Sequence, residues 1–300
     1  MRDHLLLIDG QNYAYRAFFA YSKLRHKGKQ VGMIYGMPSM IGGLIKKFKP
    51  CSVIICWESD RYSEHRLKVH PDYKKRNNRK LMDYPSFLEQ KEHVQKALSL
   101  LGIAQVYIPG LEGDDVIYKM SRLAYQRGFS DVSIVSGDKD FNQCIEINKF
   151  NRNYRVKVYN ENKKEIITID NCKKIFGYSY SQTVDYLILT GDKSDNIPGY
   201  GGIGEVKAKA FLDKVGSIKQ FLASNKEYHG IDREKLLRVY KRNRILIDLK
   251  YHYEKFVKDN PKYKNKFIPS KKMDKLGFRK FVSKLNMQKL MSDNFLRAFE

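Results

Sequence analysis

The sequence predicts an α/β fold: a central, mostly parallel sheet flanked by helices, followed by a helical C-terminal part. Three observations carry that expectation. Short aliphatic runs alternate with helical patterns through the first half of the 300 residues, the order that builds a parallel sheet. The runs are apolar along their whole length, so both faces of the sheet must be covered. From Ser181 onward only helical patterns remain.

Taken in order, Leu5–Ile8 reads as the first strand and Tyr35–Phe48 as a helix. Ser52–Cys56 is the second strand, Phe87–Leu101 a helix, and Ala104–Ile108 the third strand. Val116–Arg127 is a helix and Val132–Val135 the fourth strand. Helices follow at Val184–Leu189, Glu205–Lys214, Ile218–Ala223 and Arg233–Leu249, and the last forty residues are basic and weakly helical. No internal repeat or low-complexity tract is present.

Hydrophobic residues make up 42% of the chain, enough for a packed core. The longest apolar runs, Leu5–Ile8 and Val53–Trp57, are too short to cross a bilayer. Asp3, His4 and Asp9 interrupt the stretch a secretory signal would need. Cys51 and Cys56 flank a Val/Ile run, Cys144 and Cys172 stand alone, and the seven His show no zinc spacing. Buried thiols in a reducing, cytoplasmic compartment are expected. Against 33 Asp and Glu stand 57 Lys and Arg, a formal charge of +24. The expected partner is a polyanion, nucleic acid first.

Open parallel sheets place their sites at the carboxyl ends of strands, and here every strand ends in carboxylate. Asp9 follows the first and Glu58 the second; Glu112, Asp114 and Asp115 follow the third after a Pro-Gly turn; Asp138 and Asp140 follow the fourth. Asp192 and Asp195 lie in a Gly-rich loop. Asp138 and Asp140, two apart on an extended chain end, face the same side. Glu112 and Asp115, like Asp192 and Asp195, are three apart, a spacing that stacks acids on one helical face. A single Asp on a basic surface is ordinarily a solvated charge or a helix cap; nine at strand ends could converge. Converging acids either take raised pKa values or share hard cations, and oxygen donors without His or Cys select Mg²⁺ or Mn²⁺. Two such ions roughly 4 Å apart can activate a water and steady a leaving phosphodiester oxygen.

Residues 59–80 break the alternation. Arg61, Arg66, Lys68, Lys74, Lys75, Arg76, Arg79 and Lys80 face only Asp60, Glu64 and Asp72, with Tyr62 and Tyr73 interleaved. A solvated charged loop would have this composition; the aromatics, and the position after a carboxylate-bearing strand, favour nucleic-acid contact. Gly199-Tyr200-Gly201-Gly202-Ile203-Gly204 satisfies GxGxxG, but a dinucleotide site needs a strand before it. A polar, turn-rich segment, Gly191–Pro198, stands there instead. The better reading is a helix-hairpin-helix turn at Gly202-Ile203-Gly204, with the helix beginning near Glu205 offering backbone N–H groups to a DNA phosphate.

These blocks resemble the 5′-nuclease family: bacteriophage 5′–3′ exonucleases, the 5′-nuclease domain of bacterial DNA polymerase I and, more distantly, flap endonucleases. Leu7-Ile8-Asp9-Gly10 with Tyr15-Arg16-Ala17-Phe18 is similar to the family's start. Glu112-Gly113-Asp114-Asp115-Val116-Ile117 resembles E-A-D-D-V-I, and Ser136-Gly137-Asp138-Lys139-Asp140 resembles T-G-D-K-D. Gly191–Gly199 resembles G-D-x-S-D-N-I-P-G, and Gly202-Ile203-Gly204-Glu205 the helix–three-turn–helix glycines, all in the family's order across about residues 5–250.

The resemblance implies an arch over the active site, at about residues 59–95, within a catalytic core over 1–178. A helix–three-turn–helix DNA-binding region over 179–260 and a basic tail over 261–300 would follow. It implies that Asp9, Glu112, Asp114, Asp115, Asp138, Asp140, Asp192 and Asp195 ligate two divalent ions, directly or through water, and that backbone carbonyls of Gly202, Ile203 and Gly204 hold K⁺. Tyr73-Lys74 match the arch's Y-K pair and Arg66 the basic residue upstream; Lys74 would steady the scissile phosphate and Tyr73 stack on a base. Arg66, Lys74 and Asp138 are the expected catalytic residues, and Arg16, Tyr73, Lys74, Arg76, Arg79, the Gly202–Gly204 turn and Lys207 the expected DNA contacts.

Two departures stand out. Trp57-Glu58 replaces the usual Phe-Asp, so the longer Glu58 would reach an ion by a shifted rotamer or through water. Asn77 stands where Y-K-x-x-R wants Arg, flanked by Arg76 and Arg79. The expected function is a free-standing, monomeric, structure-specific 5′ nuclease that leaves 5′-phosphates on DNA ends or flaps, with RNA–DNA hybrids as a further substrate and primer removal as the family's role. The alternatives are a PIN-like ribonuclease and a non-catalytic DNA-binding relative.

Overall fold

The computed structural model describes residues 4–59, 64–75, 82–147, 155–264, 267–268 and 270–300. The chain begins with β1 (His4–Asp9), α1 (Gly10–Ala20), the small hairpin β2 (Arg25–His26) and β3 (Lys29–Gln30), α2 (Gly32–Phe48) and β4 (Ser52–Cys56). Then come α3 (Glu64–Val69), α4 (Tyr84–Leu100), β5 (Ala104–Val106), α5 (Gly113–Gln126) and β6 (Asp131–Val135). A 3₁₀ turn (Lys139–Cys144) leads to β7 (Glu146–Ile147), β8 (Arg155–Asn160), β9 (Glu165–Ile167) and α6 (Cys172–Phe176).

The sheet runs β5-β4-β1-β6-β8-β7, with β9 also on β8. β1 pairs parallel with β4 and β6, β4 with β5, and β6 with β8; β7 and β9 lie antiparallel to β8. The wholly apolar β1 explains itself by alternation. Leu6 and Ile8 enter the layer under α1, α2 and α4, whereas Leu5 and Leu7 enter the opposite layer with α5, as side chains two apart must.

The mixed, mostly parallel sheet is as expected, with changes at its margins. The third strand stops at Val106 rather than Ile108; the Val106 carbonyl still accepts the Trp57 N–H, but Ile108 already belongs to a turn closed by the Leu111 N–H. β8 was not foreseen, because Arg155 and Lys157 alternate with its buried Val156 and Val158. α10 ends at Ile247 rather than Leu249, because the Asp248 carboxylate caps the next helix. Cys56, Cys144 and Cys172 are buried thiols, but Cys51 is exposed.

The C-terminal region comprises α7 (Thr183–Thr190), the strand pair β10 (Gly191–Asp192) and β11 (Ile197–Pro198), α8 (Glu205–Val215), α9 (Ile218–Ala223), α10 (Arg233–Ile247) and α11 (Leu249–Asp259). It has its own core of Tyr186, Leu189, Phe211, Leu212, Phe221 and Leu236. The last segment folds back as α12 (Lys275–Ser283), α13 (Gln288–Met291) and α14 (Asp293–Leu296). Phe278, Val282, Leu290 and Leu296 join the α2–α4 layer, so this segment completes the first core. Among the described residues no helix is long and apolar enough to cross a membrane.

Phe278 is fully buried in that layer. Phe278→Ala should cost about 3–5 kcal/mol in denaturant unfolding; a loss under about 1 kcal/mol would show that the C-terminal helices only lean on the core.

Candidate active site

The carboxylates gather at the carboxyl end of the sheet because each parallel strand delivers its own. Asp9 ends β1 and caps α1, its Oδ1 accepting the Asn12 N–H at 3.0 Å. Gly10 must follow it: a Cβ there would lie 2.7 Å from the Trp57 ring and 2.8 Å from Ile55. Ser136, after β6, reaches Asp9 Oδ2 at 3.5 Å and takes the Asp138 N–H at 3.2 Å. Asp138 in turn accepts the Asp140 N–H at 2.9 Å. Glu112 and Asp114 stand on the first turn of α5. Asp192 Oδ1 accepts the Ser194 N–H at 2.7 Å and its hydroxyl at 2.6 Å, folding the 192–195 loop inward. Gly191 is required where this loop closes, since its φ is +72° and a Cβ would stand 2.3 Å from the Ile197 carbonyl.

Lys74, from the segment after α3, reaches these acids. Its Nζ is 2.6 Å from Glu112 Oε2 and 3.7 Å from Asp195 Oδ2. Its backbone is held in the left-handed region at φ 52°, an uncommon state for a non-glycine residue. The 192–197 loop imposes it: the Lys74 N–H donates to the Asp195 carbonyl at 3.0 Å. Asn196 Nδ2 donates to the carbonyls of Asp72 at 3.1 Å and Lys75 at 2.7 Å. Residues 72–75 and the Asp192–Asn196 loop are therefore one hydrogen-bonded unit.

Burial pushes Asp9 up to about 6, partly offset by the Asn12 N–H and reinforced by Asp138. Burial also holds Asp114 and Asp140 well above the carboxylate range; Asp9 and Asp138 add to the first, Asp138, Asp192 and Asp195 to the second. Glu58 is half-buried and raised by burial, although Lys74 and Lys91 pull it down. Burial would lower the Lys74 ammonium, but Glu112, Tyr73, Asp114 and Asp195 hold it far up. It is the cluster's internal counter-ion.

Asp9, Glu58, Glu112, Asp114, Asp138, Asp140, Asp192 and Asp195 thus share one electrostatic field. Asp140 Oδ1 is buried with no hydrogen-bond partner. Among the described residues, no three His, Cys, Asp or Glu side chains group tightly enough to hold an ion as they stand. The donor chemistry still fits hard divalent cations: oxygens only, more charge than Lys74 offsets, and one orphaned oxygen.

Three expected roles change. Asp115 does not face the cluster; Arg66 grips it at 2.8 and 2.9 Å, His252 Nδ1 lies 3.0 Å from Oδ1, and Oδ2 accepts the Glu112 N–H at 3.2 Å. Arg66 is 2% exposed and also 3.0 Å from Glu112 Oε1, so it is enclosed rather than open to a phosphate. Tyr73 is 4% exposed in the C-terminal core, its hydroxyl 3.2 Å from Glu112; its face is packed and cannot stack on a base in this arrangement. Arg16 pairs with Glu161 at 2.5 Å, which also accepts from the Tyr13 hydroxyl. The Gly202–Gly204 turn and Lys207 are largely exposed before and along α8, with Lys207 Nζ 3.3 Å from the Gly202 carbonyl. Arg76, Arg79 and Asn77 lie outside the described residues. His252 gave no signal in the sequence, being a lone His on a basic helix.

A family model described as "5'-3' exonuclease, N-terminal resolvase-like domain" matches residues 4–177, and one described as "5'-3' exonuclease, C-terminal SAM fold" matches 178–258. A 5'-3' exonuclease of Aquifex aeolicus is 34% identical over 251 residues, 82% of each chain. DNA polymerase I of Bacillus caldotenax is 30% identical over 249 residues, 82% of this chain but 27% of the polymerase. In fold, the chain resembles bacteriophage T5 5'-exonuclease with bound zinc, with a TM-score of 0.67 at 18% identity covering 99% of this chain and 98% of that one. The catalytic core of Rad2 in complex with DNA substrate gives 0.55 at 17% identity, covering 100% and 92%.

The raised carboxyls fix a pH dependence. A carboxyl at about 6 against an ordinary 3.8 binds its proton more tightly in the folded state. Its contribution to stability is present below about pH 4 and lost as pH rises through about 6, about 3 kcal/mol for Asp9 alone. Asp114 and Asp140 act in the same sense. In EDTA, Tm should fall between pH 5 and pH 7.5, and millimolar Mg²⁺ should raise Tm more at pH 7.5 than at pH 5. An equal Mg²⁺ effect at both pH values would remove the buried-charge account.

Proposed function

The chain belongs to the 5′–3′ exonuclease family, and on that premise we propose that it is a structure-specific, metal-dependent 5′ nuclease acting on DNA ends and flaps. One observation carries the reading: carboxylates from five separate segments share one field at the carboxyl end of a parallel sheet in a strongly basic chain, with Lys74 against Glu112 and Asp195. With the eight acids of the cluster set aside from the 33, 57 basic residues face 25 acids elsewhere, an imbalance of +32. A cationic frame of that kind draws in a polyanion, while the acidic centre repels it until cations fill it.

Asp9, Glu112, Asp114, Asp138, Asp140, Asp192 and Asp195 would hold Mg²⁺ or Mn²⁺, with Glu58 contributing through a water. Bound ions of this kind polarise a phosphodiester and lower the pKa of an attacking water. The chain's own residues do the rest. The 192–197 loop holds the backbone around Lys74, which would set its ammonium beside a scissile phosphate. With Glu112 and Asp195 engaged as ion ligands, the Lys74 ammonium would be available to donate to that phosphate. Arg16, held by Glu161, would add a further DNA contact. The open Gly202–Gly204 turn and the start of α8 supply backbone N–H groups to a duplex phosphate, and its carbonyls would hold K⁺ after Lys207 moves off Gly202. Contacts of this kind read backbone, not base edges.

Labelled flap DNA and matched RNA incubated with Mg²⁺, with and without EDTA, test the reading. EDTA-sensitive cleavage of the DNA to 5′-phosphate products is expected. RNA-only cleavage would favour a PIN-like ribonuclease, and no cleavage a binding relative. Asp138→Asn and Asp192→Asn should each abolish cleavage with DNA affinity retained; normal turnover in either would remove it from the ligand set. Lys74→Ala should lower turnover at saturating DNA by about 10²-fold or more. If only binding weakens, Lys74 is a clamp.

A further inference from the structure

We propose that Arg66 and His252 are positioning residues that set the first turn of α5, and with it Glu112 and Asp114, by acting through Asp115; this rests on the reading that Glu112 and Asp114 ligate divalent ions. An ionised carboxylate offers about four acceptor positions; three of those of Asp115 accept N–H donors, and His252 Nδ1 stands against the fourth. Oδ1 meets Arg66 Nη2 at 2.9 Å and His252 Nδ1 at 3.0 Å. Oδ2 meets Arg66 Nη1 at 2.8 Å and accepts the Glu112 N–H at 3.2 Å. Fully buried, this carboxylate has nothing left to offer an ion.

Its grip falls on the residues that face the acidic ring. By accepting the Glu112 N–H, Asp115 fixes the N-cap of α5, and Asp114 is its covalent neighbour. Arg66 Nη1 also stands 3.0 Å from Glu112 Oε1, which leaves Oε2 turned toward Lys74. The hub is tied on its far side to the C-terminal region. Arg66 Nε donates to the Leu246 carbonyl at 3.1 Å, in the last turn of α10. His252 comes from α11, its ring 5.2 Å from that of His65 on α3. Three segments far apart in sequence thus meet on one carboxylate whose neighbours in the chain face the reacting centre. A hydrogen bond that only stabilised the fold would leave ion affinity unchanged. One that orients ligands costs about 10–100-fold in metal affinity when removed.

The test is calorimetric titration of Mn²⁺ into the full chain without DNA, alongside thermal unfolding. His252→Leu keeps most of the volume and removes the donor; His252→Asn restores an N–H near the Nδ1 position. Leu should weaken Mn²⁺ binding about tenfold or more, and Asn should restore most of that affinity. DNA binding in EDTA should be unchanged in both. A folded Leu variant with wild-type Mn²⁺ affinity overturns the proposal, as does an Asn variant no better than Leu. If the Leu variant does not fold, Arg66→Lys, which keeps the charge but loses the two-pronged grip, should show the same weakening, and wild-type affinity there overturns the proposal. A wild-type chain that takes up no Mn²⁺ sinks the metal reading and this inference together; one that binds Mn²⁺ with indifferent variants sinks only this inference.

Discussion

Repulsion among buried carboxylates is the constraint on which the rest of the molecule depends. Eight acids share one field at the end of the sheet, and burial deprives them of the water that would screen them. A fold tolerates this only if their backbones are fixed by other bonds. Parallel strands supply that fixity for Asp9 and Asp138, the N-cap of α5 for Glu112 and Asp114, and the serine-braced 192–195 loop for Asp192 and Asp195. Lys74 lowers the cost without cancelling it.

Two buried ionic assemblies lie side by side with opposite characters. In the first, acids outnumber cations and an oxygen of Asp140 is orphaned. In the second, Asp115 is matched by Arg66 and His252 and closed to solvent. Removing one partner of a closed pair leaves an uncompensated buried charge, which makes the second assembly rigid. The open assembly can exchange its counter-ion, because Lys74 retains some exposure and a flexible stem.

The sequence made the sheet legible where its strands were uniformly apolar, as at Leu5–Ile8 and Ser52–Cys56. It concealed β8, whose edge alternates Val with Arg and Lys. The candidate ligands were legible because strand ends are fixed by topology, and Glu58 stood out as a substitution within a block. Asp115 was not separable from Asp114: adjacency places both on one helical turn, and only the tertiary positions of Arg66 and His252 show which faces the acidic cluster. Tyr73 looked like a stacking residue because it sits among lysines and arginines. Its burial depends on a core formed more than a hundred residues later.

The return of α12–α14 onto α2 and α4 bears on how the molecule is made. The layer that Ile8 joins, on the strand leading to Asp9, remains open until Phe278, Leu290 and Leu296 have left the ribosome, and Phe295 and Phe299 pack beside Gly42. Domains complete as units during synthesis, so the carboxylate-bearing end of the sheet gains its full support only after this C-terminal segment has been made. A nascent chain of this protein would hold its acids on an unfinished platform.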